Sequence, residues 1–411
     1  MRLSRRLPFG LFGLLVVLAV LPVQSFAAPA HDRRASSIIA KLAPGTDVRM
    51  FAGLNGLEVP EAQADSLTSM SAYRFKIDDG STVSQKLAQL GGNTQVAYAE
   101  PNTDGQIPEA RQRSSWVVGG SDGEYASQWA SDNIRLPAAH TATTGAGIVV
   151  AILDTGIDME HPALRDRLVP GYDFIGEDSV PQEEGEEGRD AAFGHGTHVA
   201  GLVALAAPGA KIMPLRTLRP DGTGDVWAQV RAIRYAINNG ADVINLSYSF
   251  EVRSQLLDEV LGQVTCVAGG VPDCRQLTRP GAVVVAAAGN SGMRLREYPA
   301  ADQAPGILGV GANTSDNALA AFSTYGAWVQ VMAPGDHIMS TIPGGGYASW
   351  SGTSMSAPLA AGVVALVRAA NPALRPNEVI SRITTTAAQT NSAVRRRLDA
   401  AAAVGVLPAS K

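Results

Sequence analysis

Residues Tyr347–Ala370 read YASWSGTSMSAPLAAGVVALVRAA, and this stretch decides how the rest of the chain is read. A Gly/Ser turn runs straight into an apolar helix. Gly352 allows a sharp bend there, because glycine reaches backbone angles that a residue with a Cβ avoids. Ser354 then falls at or near the first helical turn. Backbone N–H groups are unpaired in that turn and the helix dipole is positive. A hydroxyl placed there stands beside donors suited to a developing oxyanion. Taken alone, the same serine is an ordinary N-cap.

Two further stretches favour the chemical reading. Ile148–Ile157 (IVVAILDTGI) is a continuous apolar run with Asp154 near its end. Such a run reads as a buried parallel strand, and its C-terminal end is where α/β sheets place ligands. Gly194–Ala207 (GHGTHVAGLVALAA) is a glycine-framed turn opening an apolar helix, with His195 at the opening. A hydroxyl is a weak nucleophile until a base takes its proton, and an imidazole titrates in the range that suits that task. Asp154, His195 and Ser354 therefore supply an orienting carboxylate, a general base and a nucleophile.

The order Asp, His, Ser, carried by LDTGID, GHGTHVAG and GTSMSAP, resembles the subtilisin-like serine proteases over most of residues 127–408. The resemblance implies a doubly wound, mostly parallel α/β fold and hydrolysis of protein peptide bonds through an acyl-enzyme. It implies an oxyanion hole formed by Asn290 and the Ser354 backbone. The strand AVVVAAAGN (282–290) would place Ala287, Ala288 and Gly289 along one wall of a specificity pocket. Ser247, Tyr248 and Ser249 would pair with substrate backbone as an added strand. The family's usual apolar residue and glycine are replaced by Tyr248 and Ser249, which keeps the pairing and alters the pocket wall. Glu297, just before Tyr298-Pro299, would sit at the pocket floor and favour a basic side chain before the cut, unless Arg294 or Arg296 neutralises it. A catalytically silent binding or scaffold protein on the same fold is the alternative.

The chain has 411 residues, 45% hydrophobic and 17% charged, with a net charge of −5. That balance is globular, and no long basic run supports a nucleic-acid partner. Residues 1–27 read as a signal peptide. Arg2, Arg5 and Arg6 precede the apolar core Leu11–Leu21, which is too short to span a bilayer, and Ser25-Phe26-Ala27 fits a cleavage site. This implies a secreted protein, extracellular or periplasmic, without a membrane anchor. Residues 36–103 carry strand patterns at 37–42, 72–77 and 94–99 and a helix at 81–90. IIAKLAPG and VAYAEPN there resemble the inhibitory propeptide of the same family, a ferredoxin-like module. Residues 104–126 read as an exposed linker holding the maturation cut. The partners expected are protein substrates and the chain's own propeptide, with the protein a monomer.

Cys266 and Cys274 are the two cysteines of the sequence, and the signal-like N-terminus favours a disulfide between them over two free thiols. The loop holding Glu177, Asp178, Glu183, Glu184, Glu186, Glu187 and Asp190 reads either as a calcium site or as a solvated insertion. No cofactor is required by the chemistry. At the family's strong calcium site this chain has Ala163 where an Asp is usual, and a short loop at Ala207-Pro208-Gly209. His161, His198 and His337 read as structural.

Overall fold

The computed structural model describes residues 37–60, 66–111, 117–265, 280–302 and 304–406. The expected signal segment and both cysteines lie outside these residues. The described residues belong to one compact unit.

Among the described residues the central sheet has nine strands. Their order across the sheet is Ala388–Gln389, Arg396–Arg397, Val331–Pro334, Ile307–Asn313, Val283–Ala287, Val243–Leu246, Val149–Asp154, Lys211–Arg216 and Tyr172–Asp173. All neighbours are parallel except the first pair. Continuous apolar runs suit strands covered on both faces. Val149–Asp154 shows why: Val150 and Ile152 enter one core with the helices His195–Ala206 and Thr353–Ala370. Ala151 and Leu153 enter the other, with the helices Val226–Asn238 and Gln255–Thr265. The fold is doubly wound. Thr353–Ala370 is long and apolar enough to cross a membrane, but 89% of it is buried inside the protein, as a core helix is.

The N-terminal residues form a separate antiparallel sheet, in the order Ser66–Leu67, Ala72–Lys76, Ser37–Leu42, Val96–Pro101. The helices Val48–Leu54 and Val83–Leu90 are capped by Asp47 and Thr82, the latter through a capping box with Gln85. Ile39 and Ala72 of this sheet, with Met70 of the helical turn Thr68–Met70, join the core that holds the helices Val226–Asn238 and Gln255–Thr265. Glu100 caps the second of these helices, accepting from Gln255 N at 2.7 Å, Ser254 Oγ at 2.8 Å and Leu256 N at 3.1 Å.

Three local expectations are corrected. Residues 104–111 are not an exposed linker: Asp104–Gln106 is a strand, Pro108–Arg111 a helical turn, and Gly105 to Glu109 are buried. Their backbone groups find partners in the cleft, which polarity alone does not reveal. The spacing of Val226, Val230, Ile233 and Ile237 predicts a helix over 223–239; it starts at Val226, because Thr223–Asp225 is drawn into a strand by pairing with Asp104–Gln106. The turn before Ser354 is confined to Ser351-Gly352, because Gly346–Trp350 is a strand, hairpinned with Ile338–Ile342. Gly352 has φ 165°, extended backbone open to any residue. Its requirement is space: a Cβ there would meet Glu109 Oε1 at 1.7 Å.

Candidate active site

Ser354 is the second residue of the helix Thr353–Ala370, and His195 is the first of His195–Ala206. Asp154 ends the strand Val149–Asp154. Three separate elements thus converge at the C-terminal end of the strand Val149–Asp154. His195 Nδ1 lies 2.7 Å from Asp154 Oδ1, which also accepts from Thr155 N at 2.8 Å. The imidazole stands edge-on to Trp350, with ring centroids 5.4 Å apart.

The group facing Ser354 and His195 is the carboxylate of Glu109. Ser354 Oγ donates to Glu109 Oε2 at 2.6 Å, and His195 Nε2 lies 3.3 Å from that same oxygen. Asn290 Nδ2 donates to Oε1 at 3.0 Å and Ser354 N to Oε1 at 3.4 Å. Three hydrogen-bond donors and the His195 ring therefore meet on one carboxylate. Burial raises the Glu109 pKa, but His195, Ser354 and Asn290 outweigh that and hold it below the usual carboxylate range. Burial also disfavours the charged imidazole. The flanking Asp154 and Glu109 carboxylates nevertheless lift His195 to about 10, so it is a cation in this state. His198 is the opposite case: burial and the His195 charge depress it to about 3, and its Nε2 faces Ala348 O at 3.1 Å.

The Asn290 amide is fixed by Thr353. Its Oδ1 accepts from Thr353 N at 3.0 Å and Thr353 Oγ1 at 2.9 Å, so Nδ2 points at Glu109. The Thr353 hydroxyl in turn accepts from Gly289 N at 3.1 Å. The motif GTSMSAP contains Thr353, but sequence alone does not connect it to residue 290.

Glu297 lies against Gly289 and Ser249. It is 2% exposed, against Gly289, whose added Cβ would meet Glu297 Oε1 at 2.1 Å. Ser249 Oγ donates to Glu297 Oε2 at 2.5 Å and Thr324 Oγ1 to Oε1 at 3.3 Å. The unusual Ser249 and the unusual Glu297 are thus hydrogen-bonded partners. Arg296 lies over the Trp328 ring, 5.4 Å from its centroid. Ala287, Ala288 and Tyr248 are fully buried, and Ser247 Oγ donates to Ser354 O at 3.2 Å.

The acidic loop spends carboxylates on arginines. Glu177 grips Arg231 at 2.5 and 2.9 Å, Glu184 pairs with Arg216 at 2.6 Å, and Glu186 with Arg189 at 3.1 Å. Glu183 turns inward, accepting from Thr197 N and Oγ1, both at 3.0 Å. Among the described residues no group of three or more His, Cys, Asp or Glu could hold a metal. Between Ala163 and the short loop Ala207-Pro208-Gly209, the Arg167 guanidinium donates to Ala163 O at 3.3 Å and to Pro208 O.

A family model described as the Subtilase family matches residues 145–403. The chain belongs to the subtilase family. A thermophilic serine proteinase of Bacillus sp. (strain AK1) is 34% identical over 306 residues, covering 72% of this chain and 68% of that protein. Subtilisin BL of Lederbergia lenta is 36% identical over 274 residues, covering 64% and 92%. Among solved structures, a cold adapted subtilisin-like serine proteinase matches with a TM-score of 0.54 at 28% identity, covering 63% of this subtilase and 90% of that chain. Fervidolysin from Fervidobacterium pennivorans, a keratinolytic enzyme related to subtilisin, matches in fold with a TM-score of 0.72 at 24% identity, covering 91% and 61%. This subtilase is a serine endopeptidase.

Proposed function

We propose that the chain is a secreted, autoprocessed endopeptidase in which Asp154, His195 and Ser354 act as the triad and Asn290 with Ser354 N forms the oxyanion hole. The observation that carries this is the convergence of Ser354 Oγ, Ser354 N, Asn290 Nδ2 and His195 on one bound carboxylate. Once a substrate carbonyl replaces Glu109, Ser354 Oγ attacks it and His195 takes the hydroxyl proton. The oxyanion receives hydrogen bonds from Asn290 Nδ2 and Ser354 N. His195 then protonates the leaving amine, and water, deprotonated by the same imidazole, releases the acyl group. Asp154 holds the ring and stabilises its cationic form.

The N-terminal module acts as the inhibitory propeptide. Its βαββαβ order, with sheet order 66–67, 72–76, 37–42, 96–101, supports the ferredoxin-like reading. The maturation cut falls after Glu109 and before residue 127, and residues 1–27 direct secretion. Glu297 and Ser249 make the pocket favour Lys or Arg before the cut, because a buried carboxylate gains most from an incoming cation. Arg167 takes the place of calcium at the family's strong site, so that site needs no metal.

The test is secretion of wild type and Ser354→Ala from a host lacking other extracellular proteases. Wild type should appear shortened at its N-terminus and degrade casein. The variant should remain full length apart from signal removal, and be inert. A variant that matures to the same N-terminus refutes self-processing, and a wild type inert toward casein favours a silent scaffold.

A further inference from the structure

Residues 104–107 lie in the cleft as an added strand. Asp104–Gln106 pairs antiparallel with Thr223–Asp225 on one side. On the other, Gln106 N donates to Ser249 O and Ser249 N to Gln106 O, each at 3.0 Å. Ile107 N reaches Gly222 O at 3.0 Å, and its side chain is fully buried. The segment thus fills both backbone-binding edges, as a substrate would.

The substrate-like path stops at Pro108. Proline has no N–H to give to the Ser247 carbonyl, which accepts instead from Ser354 Oγ at 3.1 Å. Pro108 opens the helical turn Pro108–Arg111, which lifts the backbone away and turns the Glu109 side chain inward. The oxyanion donors therefore meet a side-chain carboxylate and not a backbone carbonyl.

We propose that Glu109 is the inhibitory group of this chain: its carboxylate fills the oxyanion hole while Pro108 ends the strand, so that residues 104–109 are bound as an inhibitor that is not itself cut. The proposal rests on the reading of Ser354 as nucleophile and Asn290 as oxyanion donor. It disables the site twice. The hole is filled by an anion that accepts from Ser354 Oγ, Ser354 N and Asn290 Nδ2. The ion pair with His195 also keeps the imidazole protonated, and a protonated imidazole cannot take the proton of Ser354. A carboxylate bears no leaving group here, so attack has no productive outcome. Gly352 supplies the space, since its missing Cβ is where Oε1 lies.

Two measurements test this. In the first, the full-length precursor is treated with a fluorophosphonate probe beside Glu109→Ala, with processed enzyme as the reference. The Glu109→Ala precursor should be labelled at least tenfold faster than wild-type precursor. In the second, processed enzyme is challenged with the end-blocked peptide Gly-Gln-Ile-Pro-Glu-Ala, matching residues 105–110. It should inhibit competitively and stay intact by mass, and its Glu-to-Gln counterpart should bind at least tenfold more weakly. Equal precursor labelling, equal inhibition by the two peptides, or cleavage between Pro and Glu each overturns the proposal. Processed enzyme that takes up no probe overturns the nucleophile reading itself, a failure distinct from those. If Glu109→Ala does not fold, the peptide pair still decides.

Discussion

Glu183 offers a pH-dependent test of how the His195 helix is held. The side chain is buried, and burial together with the nearby Asp154 charge raises its pKa from 4.5 to about 7, against the opposing hydrogen bonds from Thr155 and Thr197. The unfolded chain loses this proton near 4.5, whereas the folded chain keeps it to about 7. Between those values the folded state binds more protons, so stability falls as pH rises through the window. Below it the penalty is absent, and above it the penalty is fully present. At ~1.4 kcal/mol for each pH unit between the two values, the penalty is of the order of 3 kcal/mol. Glu183→Gln keeps an oxygen to accept from Thr197 N and Oγ1, and it cannot ionise. In a Ser354→Ala background, which prevents self-digestion, urea unfolding should give nearly equal stabilities for parent and variant at pH 4.5. At pH 8.5 the variant should be more stable by about 3 kcal/mol. Other titrating groups, such as Asp302, are common to both chains and cancel in the difference. A stability difference that is the same at both pH values refutes the reasoning.

Thr353→Val removes the hydroxyl that orients Asn290 and leaves Gly289 N without its acceptor. It should cost about 1–3 kcal/mol of stability and lower kcat with little change in KM, measured by urea titration and steady-state kinetics on one peptide. Glu297→Gly should remove the preference for Lys or Arg before the cut in peptide-library profiling; a wild type that already prefers Phe or Leu, with the variant unchanged, places the selectivity elsewhere. Arg167→Ala strips both Ala163 O and Pro208 O of their donor, so it should lower the unfolding midpoint. Chelation by EDTA should leave the wild-type midpoint unmoved if Arg167 serves in place of calcium.

The central sheet was legible because its strands are apolar on both faces. Ile148–Ile157 announces a buried strand whichever helix covers it, and its limits shift by only a few residues in the structure. His195 and Ser354 were legible because each opens an apolar helix after glycine. Glu109 was not. Its contact with Ser354 spans 245 residues of sequence, and its neighbours Gln106 and Arg111 read as polar linker. The Ile107-Pro108 pair is the one local signal, a strand ended by a proline that can start a helical turn. Glu183 sat among seven acidic residues with nothing to mark it as the one turned inward; its partner Thr197 lies on the His195 helix. Thr223–Asp225 carried helix-like continuity with Val226, and only its pairing with residues 104–106 makes it a strand.

The central claim is that Ser354 is the nucleophile, activated by His195 and Asp154. Its most direct test is to react the secreted, processed enzyme with a fluorophosphonate, digest it and locate the adduct by mass spectrometry. The account predicts one adduct, on the peptide holding Gly352-Thr353-Ser354 and on Ser354 itself, with loss of caseinolytic activity in proportion to labelling and no adduct in His195→Ala. An adduct on another serine, or full labelling of Ser354 that leaves proteolysis intact, contradicts it.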